Sequence, residues 1–276
     1  MNAPELALVA LVIGLVAGAV GGMAGIGGSI IMLPALGIIV GYETATKAEQ
    51  HLYQASAMCV NVVVAYAASR RHQQVGVHDP GLRRALLPGL LLGIAAGVVI
   101  SDLLRGEWLK FILVGFLFAY CIQNLISSLT TWRPTEGAPE LTGSEAFDLS
   151  PGARNRLRLV GGLTGVPSGL LGIGGGIIMV PLMQVWARVP LKRAIAASAS
   201  VMWVSAIVGA AIKVTTLPTH GQSRADVLYL AGPMAIGAAV GSPVGAGLTH
   251  SLRLPHLKLA ISLVLVAAGL RLIGVI

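Results

Sequence analysis

The stretch Gly25-Ile26-Gly27-Gly28-Ser29-Ile30-Ile31-Met32-Leu33-Pro34 recurs as Gly172-Ile173-Gly174-Gly175-Gly176-Ile177-Ile178-Met179-Val180-Pro181. The copies are in register from end to end and start 147 positions apart in a chain of 276 residues. Each reads as a break in an apolar segment, after which a helix restarts. A helix restarting after Gly28, or after Gly176, points the unpaired N–H groups of its first turn and its positive dipole end into the gap. Glycines also let the backbone itself approach a ligand. The chemistry of such a gap is capture of an anion, a carboxylate, sulfonate or sulfite. Glycines that serve only close packing are the plainer reading. Two copies, each closing on a proline nine residues after its first glycine, weigh toward a site.

The run is no phosphate-cradling loop, because no Gly-Lys-Ser/Thr follows it. Nor is it a dinucleotide fingerprint, because Ile177 stands where Gly-x-Gly-x-x-Gly needs its last glycine.

Polar residues inside apolar runs are the next candidates. Gln50, His51, Gln54, Ser56 and Asn61 share one segment of the first half; Ser198, Ser200, Trp203 and Ser205 share the matching segment of the second. Locally, Ala55-Ser56-Ala57 aligns with Ala197-Ser198-Ala199. Neutral hydroxyl and amide donors suit an oxyanion that must be bound and then released. For any one Ser or Gln taken alone, a hydrogen bond between helices is the commoner role, and Gln123 and Asn124 share that mixed reading. His51 reads as an interfacial residue rather than a proton relay. No Asp or Glu falls clearly at mid-membrane, so an acidic relay is not evident. Cys59 and Cys121 lie in apolar runs and read as packing residues. Without a convergent His, Asp, Glu and Cys set in the spans, no metal, cofactor or catalytic residue is expected, and the chain does not read as an enzyme.

The elements that must position these residues are membrane helices. Apolar residues are 55% of the chain, charged residues 11%, and mean hydropathy is +0.82, against roughly 25% charged in soluble domains. The apolar runs reach about 20 residues without alternation, which favours helices over barrel strands. A net charge of +8 does not point to nucleic acid, because the basic residues cluster in short loops between apolar runs. Glu5 precedes the first run and no basic segment does, so a cleaved signal peptide is not expected.

The chain divides into a first transmembrane repeat (1–130), a polar linker rich in proline and glycine (131–153) and a second repeat (154–276). Each repeat carries a glycine-broken helix pair plus three full-length spans. The fold class is therefore an all-α polytopic membrane protein with eight to ten membrane segments. Gly14, Gly18 and Gly22 form one small-residue face; Gly237, Gly241 and Gly245 form another. With the Arg70–Arg84 loop inside, thirteen of the nineteen Lys and Arg fall inside if the repeats are inverted, and eleven if they are parallel. Charge bias thus favours inverted repeats with both termini outside. Inverted repeats with paired discontinuous helices are the architecture of secondary transporters, with the substrate near the midplane.

The doubled Gly-x-Gly-Gly-[Ser/Gly]-Ile-Ile-Met-x-Pro, the two halves and the length resemble the TauE/SafE family of sulfite exporters, also called the toluene-sulfonate uptake permease group. The resemblance covers nearly the whole chain. It implies a bacterial or archaeal inner-membrane secondary transporter of small organosulfur anions such as sulfite, sulfoacetate and related sulfonates, moved with the proton gradient. It carries Gly25, Gly27, Gly28, Ser29, Gly172, Gly174, Gly175, Gly176, Ser56 and Ser198 over as substrate-binding positions. To these the reading of the spans adds Gln54, Asn61, Ser200 and Trp203. Ser29 stands where the second copy has Gly176, so the two breaks are not equivalent. Expected partners are the anionic substrate and the bilayer, in a monomer or homodimer. The alternative reading is an anion channel built on the same paired half-helices.

Overall fold

The computed structural model describes residues 2–24, 27–74, 79–130, 149–248 and 254–272. These form ten α-helices and no strand. They are α1 (Ala3–Ala24), α2 (Ser29–Ile39), α3 (Glu49–Gln74), α4 (Pro80–Leu103), α5 (Gly106–Thr130), α6 (Pro151–Leu171), α7 (Gly176–Trp186), α8 (Leu191–Thr216), α9 (Arg224–Leu248) and α10 (Leu254–Leu272). A 3-10 turn, Leu217–His220, follows α8. Local chemistry sets the boundaries. Asp79 caps α4 by accepting from the Gly81 and Leu82 N–H groups ahead of Pro80, and Ser150 caps α6 ahead of Pro151. Linker positions 131–148 lie outside the described residues.

Among the described residues, six helical segments are long and apolar enough to cross a membrane: Ala3–Met23, Glu49–Gln74, Pro80–Leu103, Gly106–Gln123, Arg193–His220 and Arg224–Leu248. Large apolar side chains such as Leu8, Leu92, Leu228 and Ile236 stand outward on them, as lipid-facing residues must. Helices α2 and α7 have 11 residues each. That is about 16 Å of helix, half of a ~30 Å hydrocarbon layer.

Packing comes in matched pairs. Helix α1 lies along α9, and α6 lies along α4. Gly14, Gly18 and Gly22 meet Met234, Ala238 and Ser242 in turn, so α1 and α9 run the same way. Gly89, Gly93 and Gly97 likewise meet Arg158, Gly162 and Val166 in turn along α6. A Cβ at Gly14 would sit 2.0 Å from the Met234 carbonyl oxygen, and one at Gly89 equally close to that of Arg158. Small residues are therefore required for backbone to touch backbone. Gly237, Gly241 and Gly245 complete the first seam against Leu11, Leu15 and Ala19. Both small-residue faces expected from the sequence are thus used within the chain. Helices α3 and α8 pack on each other, as do α5 and α10.

One hairpin-like return and one shared start follow. The start of α1 (Ala3, Leu6), the exit from α2 (Val40, Gly41), Tyr53 of α3 and Asp226 of α9 line one cavity. So α1 and α2 leave and return at the same end, with the first break at the deep tip. Helix α6 begins where α4 begins: Leu149, just before α6, lies against Gly81.

Candidate functional site: two glycine breaks joined by Asn61

The two breaks meet in the interior. A Cβ at Gly27 would lie 2.7 Å from Met202 Cε, 3.3 Å from Asn61 Oδ1 and 3.4 Å from the Ile173 carbonyl oxygen. A Cβ at Gly174 would lie 2.8 Å from Asn61 Nδ2 and 3.0 Å from the same Met202 methyl. One amide and one thioether therefore fill the space between the breaks. Asn61 is buried near the middle of α3. Its Oδ1 accepts from the Gly28 N–H at 2.9 Å, and its Nδ2 donates to Ser29 Oγ at 2.5 Å. Ser29 Oγ donates in turn to the Ala57 carbonyl at 3.3 Å.

The backbone of the second break turns on glycine alone. Gly172 ends α6 in the left-handed region (φ 72°), with its N–H donating to the Ser168 carbonyl at 2.9 Å. Gly174 and Gly175 follow at φ 72° and 40°, and the Gly176 N–H turns back onto the Gly174 carbonyl. Only glycine adopts such a run without strain. In the first break Gly27 has φ 81°, while Gly28 has an ordinary helical φ of −81°. Gly25 lies outside the described residues.

Gln54 belongs to the second break. Its side chain packs against Gly172, its Nε2 donates to the Leu170 carbonyl at 3.2 Å, and its Oε1 accepts from Ser101 Oγ at 3.1 Å. Ser198 Oγ lies 3.4 Å from Met202 Sδ, one turn along α8, and so bears on the thioether at the breaks. Ser56 is fully buried and its hydroxyl has no hydrogen-bond partner among the described residues. Ser200 donates to its own helix at the Ala197 carbonyl, 2.7 Å away. Trp203 meets the Tyr66 ring edge-on at 5.9 Å. The contacts of these last two thus lie within α8 and against α3, not at the breaks.

Beside Gln54 sits a charged network that the sequence reading did not assemble. Lys213, on α8, is fully buried. Its Nζ donates to Asp102 Oδ1 at 2.6 Å, to Ser101 Oγ at 2.9 Å and to His51 Nδ1 at 2.9 Å. Acceptance at Nδ1 places the ring proton on His51 Nε2, which faces the Leu104 carbonyl at 3.2 Å. The His220 ring stacks on His51 at 3.6 Å and is nearly parallel to it, and its Nε2 lies 3.5 Å from Asp102 Oδ1. His51, Asp102 and His220 offer ligand atoms within 4.8 Å of one another, the spacing of a metal site. Here the Lys213 ammonium already takes the cation's place on the carboxylate. The sequence reading put His51 at the interface and no acid at depth, and it counted Lys213 only among the nineteen Lys and Arg of the charge bias. Asp102 and Lys213 each lie close to a helix end, where charges are ordinary, and only the fold brings them together. The available signal was the single lysine inside Ala210-Ala211-Ile212-Lys213-Val214.

The family model described as "Sulfite exporter TauE/SafE" matches residues 10–272. The chain belongs to the TauE/SafE family. It is similar to the "Probable membrane transporter protein MamO" of Paramagnetospirillum magneticum, 27% identical over 95% of this chain and 44% of that protein. A second MamO, from Magnetospirillum gryphiswaldense, is 27% identical over 88% of this chain and 41% of its own length. The chain therefore spans less than half the length of these two relatives. Two others match nearly end to end. The probable membrane transporter protein MJ0441 of Methanocaldococcus jannaschii is 24% identical over 94% of this chain and 92% of its own. YunE of Bacillus subtilis, which carries the same description, is 22% identical over 96% and 97%. No solved structure matches. This TauE/SafE chain is thus a multi-pass membrane protein of a transporter family.

Proposed function

We propose that the chain is a secondary transporter of a small organosulfur anion such as sulfite, sulfoacetate or a related sulfonate. It works by alternating access, with the anion held between the two glycine breaks and its movement coupled to the proton gradient. The observation that carries this reading is the convergence of Gly27, Gly28 and Gly174 on the single Asn61 amide. Helices α2 and α7 both restart next to this point, and the positive end of a helix favours an anion. The neutral donors there are the Asn61 amide and the Ser29 hydroxyl, which an anion would draw from their present acceptors, Ser29 Oγ and the Ala57 carbonyl. Such donors hold an oxyanion without the deep electrostatic trap that a buried arginine would set. Family membership supports the sulfur-anion class.

The two repeats are inverted in the membrane. Support comes from the helix directions. The starts of α1 and α3 share one end of the bundle, and α6 starts beside α4, which follows α3 after a short connector. Exchange of α1–α9 for α4–α6 contacts between the halves is what a twofold axis in the membrane plane requires. Rocking of one repeat against the other about the α3–α8 contact then exposes the breaks to either side in turn.

The test is uptake by purified protein in proteoliposomes, screening sulfite, thiosulfate, sulfoacetate, taurine and a carboxylate control, with and without an imposed proton gradient. Saturable uptake of one sulfur anion that collapses without the gradient is the expected result. An equal response to the carboxylate, or none to any sulfur compound, overturns the substrate class. Ohmic, non-saturating anion current identifies a channel instead.

A further inference from the structure

We propose that the Asp102–Lys213 pair is the proton-binding site of the transport cycle, loaded from an outer cleft past His220 and His51. It is wired to the second glycine break by Ser101 and Gln54. This assignment rests on the transport reading above and names the residues through which coupling runs.

Three observations lead to it. The first is the cost of the arrangement. A fully buried ammonium is held by one carboxylate, and breaking such a pair leaves an uncompensated interior charge. An intramembrane ionisable pair facing the bundle interior marks a substrate or proton path by default. The second is access. Asp102, unlike Lys213, keeps 17% of its side chain exposed. It lines an open cleft with Thr46, His51, Arg105, Thr219 and His220. The third is continuity. Lys213 Nζ reaches Ser101 Oγ at 2.9 Å, Ser101 Oγ reaches Gln54 Oε1 at 3.1 Å, and Gln54 packs on Gly172 while its Nε2 holds the Leu170 carbonyl. An unbroken polar chain thus runs from the cleft to the break where the anion sits.

The groups facing the pair are His51 from α3, Ser101 from α4 and His220 from the 3-10 turn, with Arg105 at the cleft mouth. The proton step balances simply. One proton from the cleft, passed on by His220, whose Nε2 lies 3.5 Å from Asp102 Oδ1, converts the Asp102 carboxylate to a carboxylic acid. Lys213 keeps its own proton, so the network's charge rises by one. The ammonium is then no longer neutralised, and its attraction for an anion at the adjacent break is no longer cancelled. Binding of the anion restores local neutrality. Proton and anion therefore enter the protein together, and neither charge crosses the interior alone.

The experiment measures proton movement and anion movement in the same proteoliposomes, with a trapped pH dye and radiolabelled probe. The probes are thiosulfate and sulfoacetate, which keep their charge near neutral pH. Wild-type protein is expected to move protons in fixed proportion to the anion. In Asp102→Asn the protons moved per anion should fall about tenfold or more, and anion affinity should lose its dependence on pH. If Asp102→Asn does not fold, the double variant Asp102→Asn/Lys213→Met, which removes both charges together, is read by the same ratio. A wild-type ratio in whichever variant folds overturns the assignment and leaves the transport reading standing. Wild-type protein that carries an anion without protons overturns the assignment together with the proton coupling of the transport reading, and leaves anion transport itself standing. Wild-type protein that carries neither probe refutes the transport reading, and the assignment with it.

Discussion

The first break is held open by a side chain from elsewhere, and the second by the shape of its own backbone. Around Gly27 and Gly28 the anchor is Asn61, which accepts from the Gly28 N–H and donates to Ser29. Around Gly172 to Gly175 it is a run of left-handed glycines closed by Ser168 and Gly174 carbonyls. The cause lies in two differences between the repeats. Ser29 offers a hydroxyl where the second copy has Gly176, and on the local alignment the counterpart of Asn61 is Trp203, which packs on Tyr66. The second repeat therefore has no amide at that position. Asn61 serves both breaks instead, since Gly174 also lies against its Nδ2. A duplicated motif has produced one asymmetric site: the first repeat contributes the polar group and the second the apolar wall at Met202.

The largest effect should come from filling the gap. Gly27→Leu and Gly174→Leu each place bulk where Met202 and Asn61 already sit, at backbone that favours glycine. Both should abolish anion uptake in proteoliposomes while membrane insertion, read by fractionation, stays intact; normal uptake in both would remove the breaks from the mechanism. Next is Asn61→Ala. It orphans the Gly28 N–H at a cost of about 1–3 kcal/mol, and it should lower anion affinity about tenfold or more through both breaks. Equal loss from a variant of Trp203, its counterpart, would contradict the asymmetry. Ser29→Gly makes the first break resemble the second. Losing its two hydrogen bonds should lower stability by about 1–2 kcal/mol, seen as a reduced melting temperature in detergent. The smallest effect is Ser200→Ala. Its hydroxyl bonds only back to its own helix, so stability should stay within about 0.5 kcal/mol and uptake should match wild type.

Much of the fold can be read along the chain, because its determinants are local. Gly172 to Gly176 must break a helix, Pro80 and Pro151 start helices behind Asp79 and Ser150, and glycines four apart make packing faces. Gln54, Asn61 and Ser198 are legible as site candidates because polar side chains inside apolar runs need partners. What is not legible is long-range. Met202 looks like any core methionine until two breaks close on it. Lys213 and Asp102 are 111 positions apart, and each alone passes for an interfacial charge. Ser200 and Trp203 are candidates by residue type, and the contacts described for them lie within α8 and against Tyr66 of α3.

The central claim is that one anion is held by both breaks at once. The direct measurement is a titration of 15N-glycine-labelled protein with thiosulfate, following the amide signals of Gly27, Gly28, Gly174 and Gly175. The account predicts that signals from both breaks shift together with a single dissociation constant, and that Asn61→Ala weakens both. Shifts confined to one break, or separate constants for the two, would contradict it.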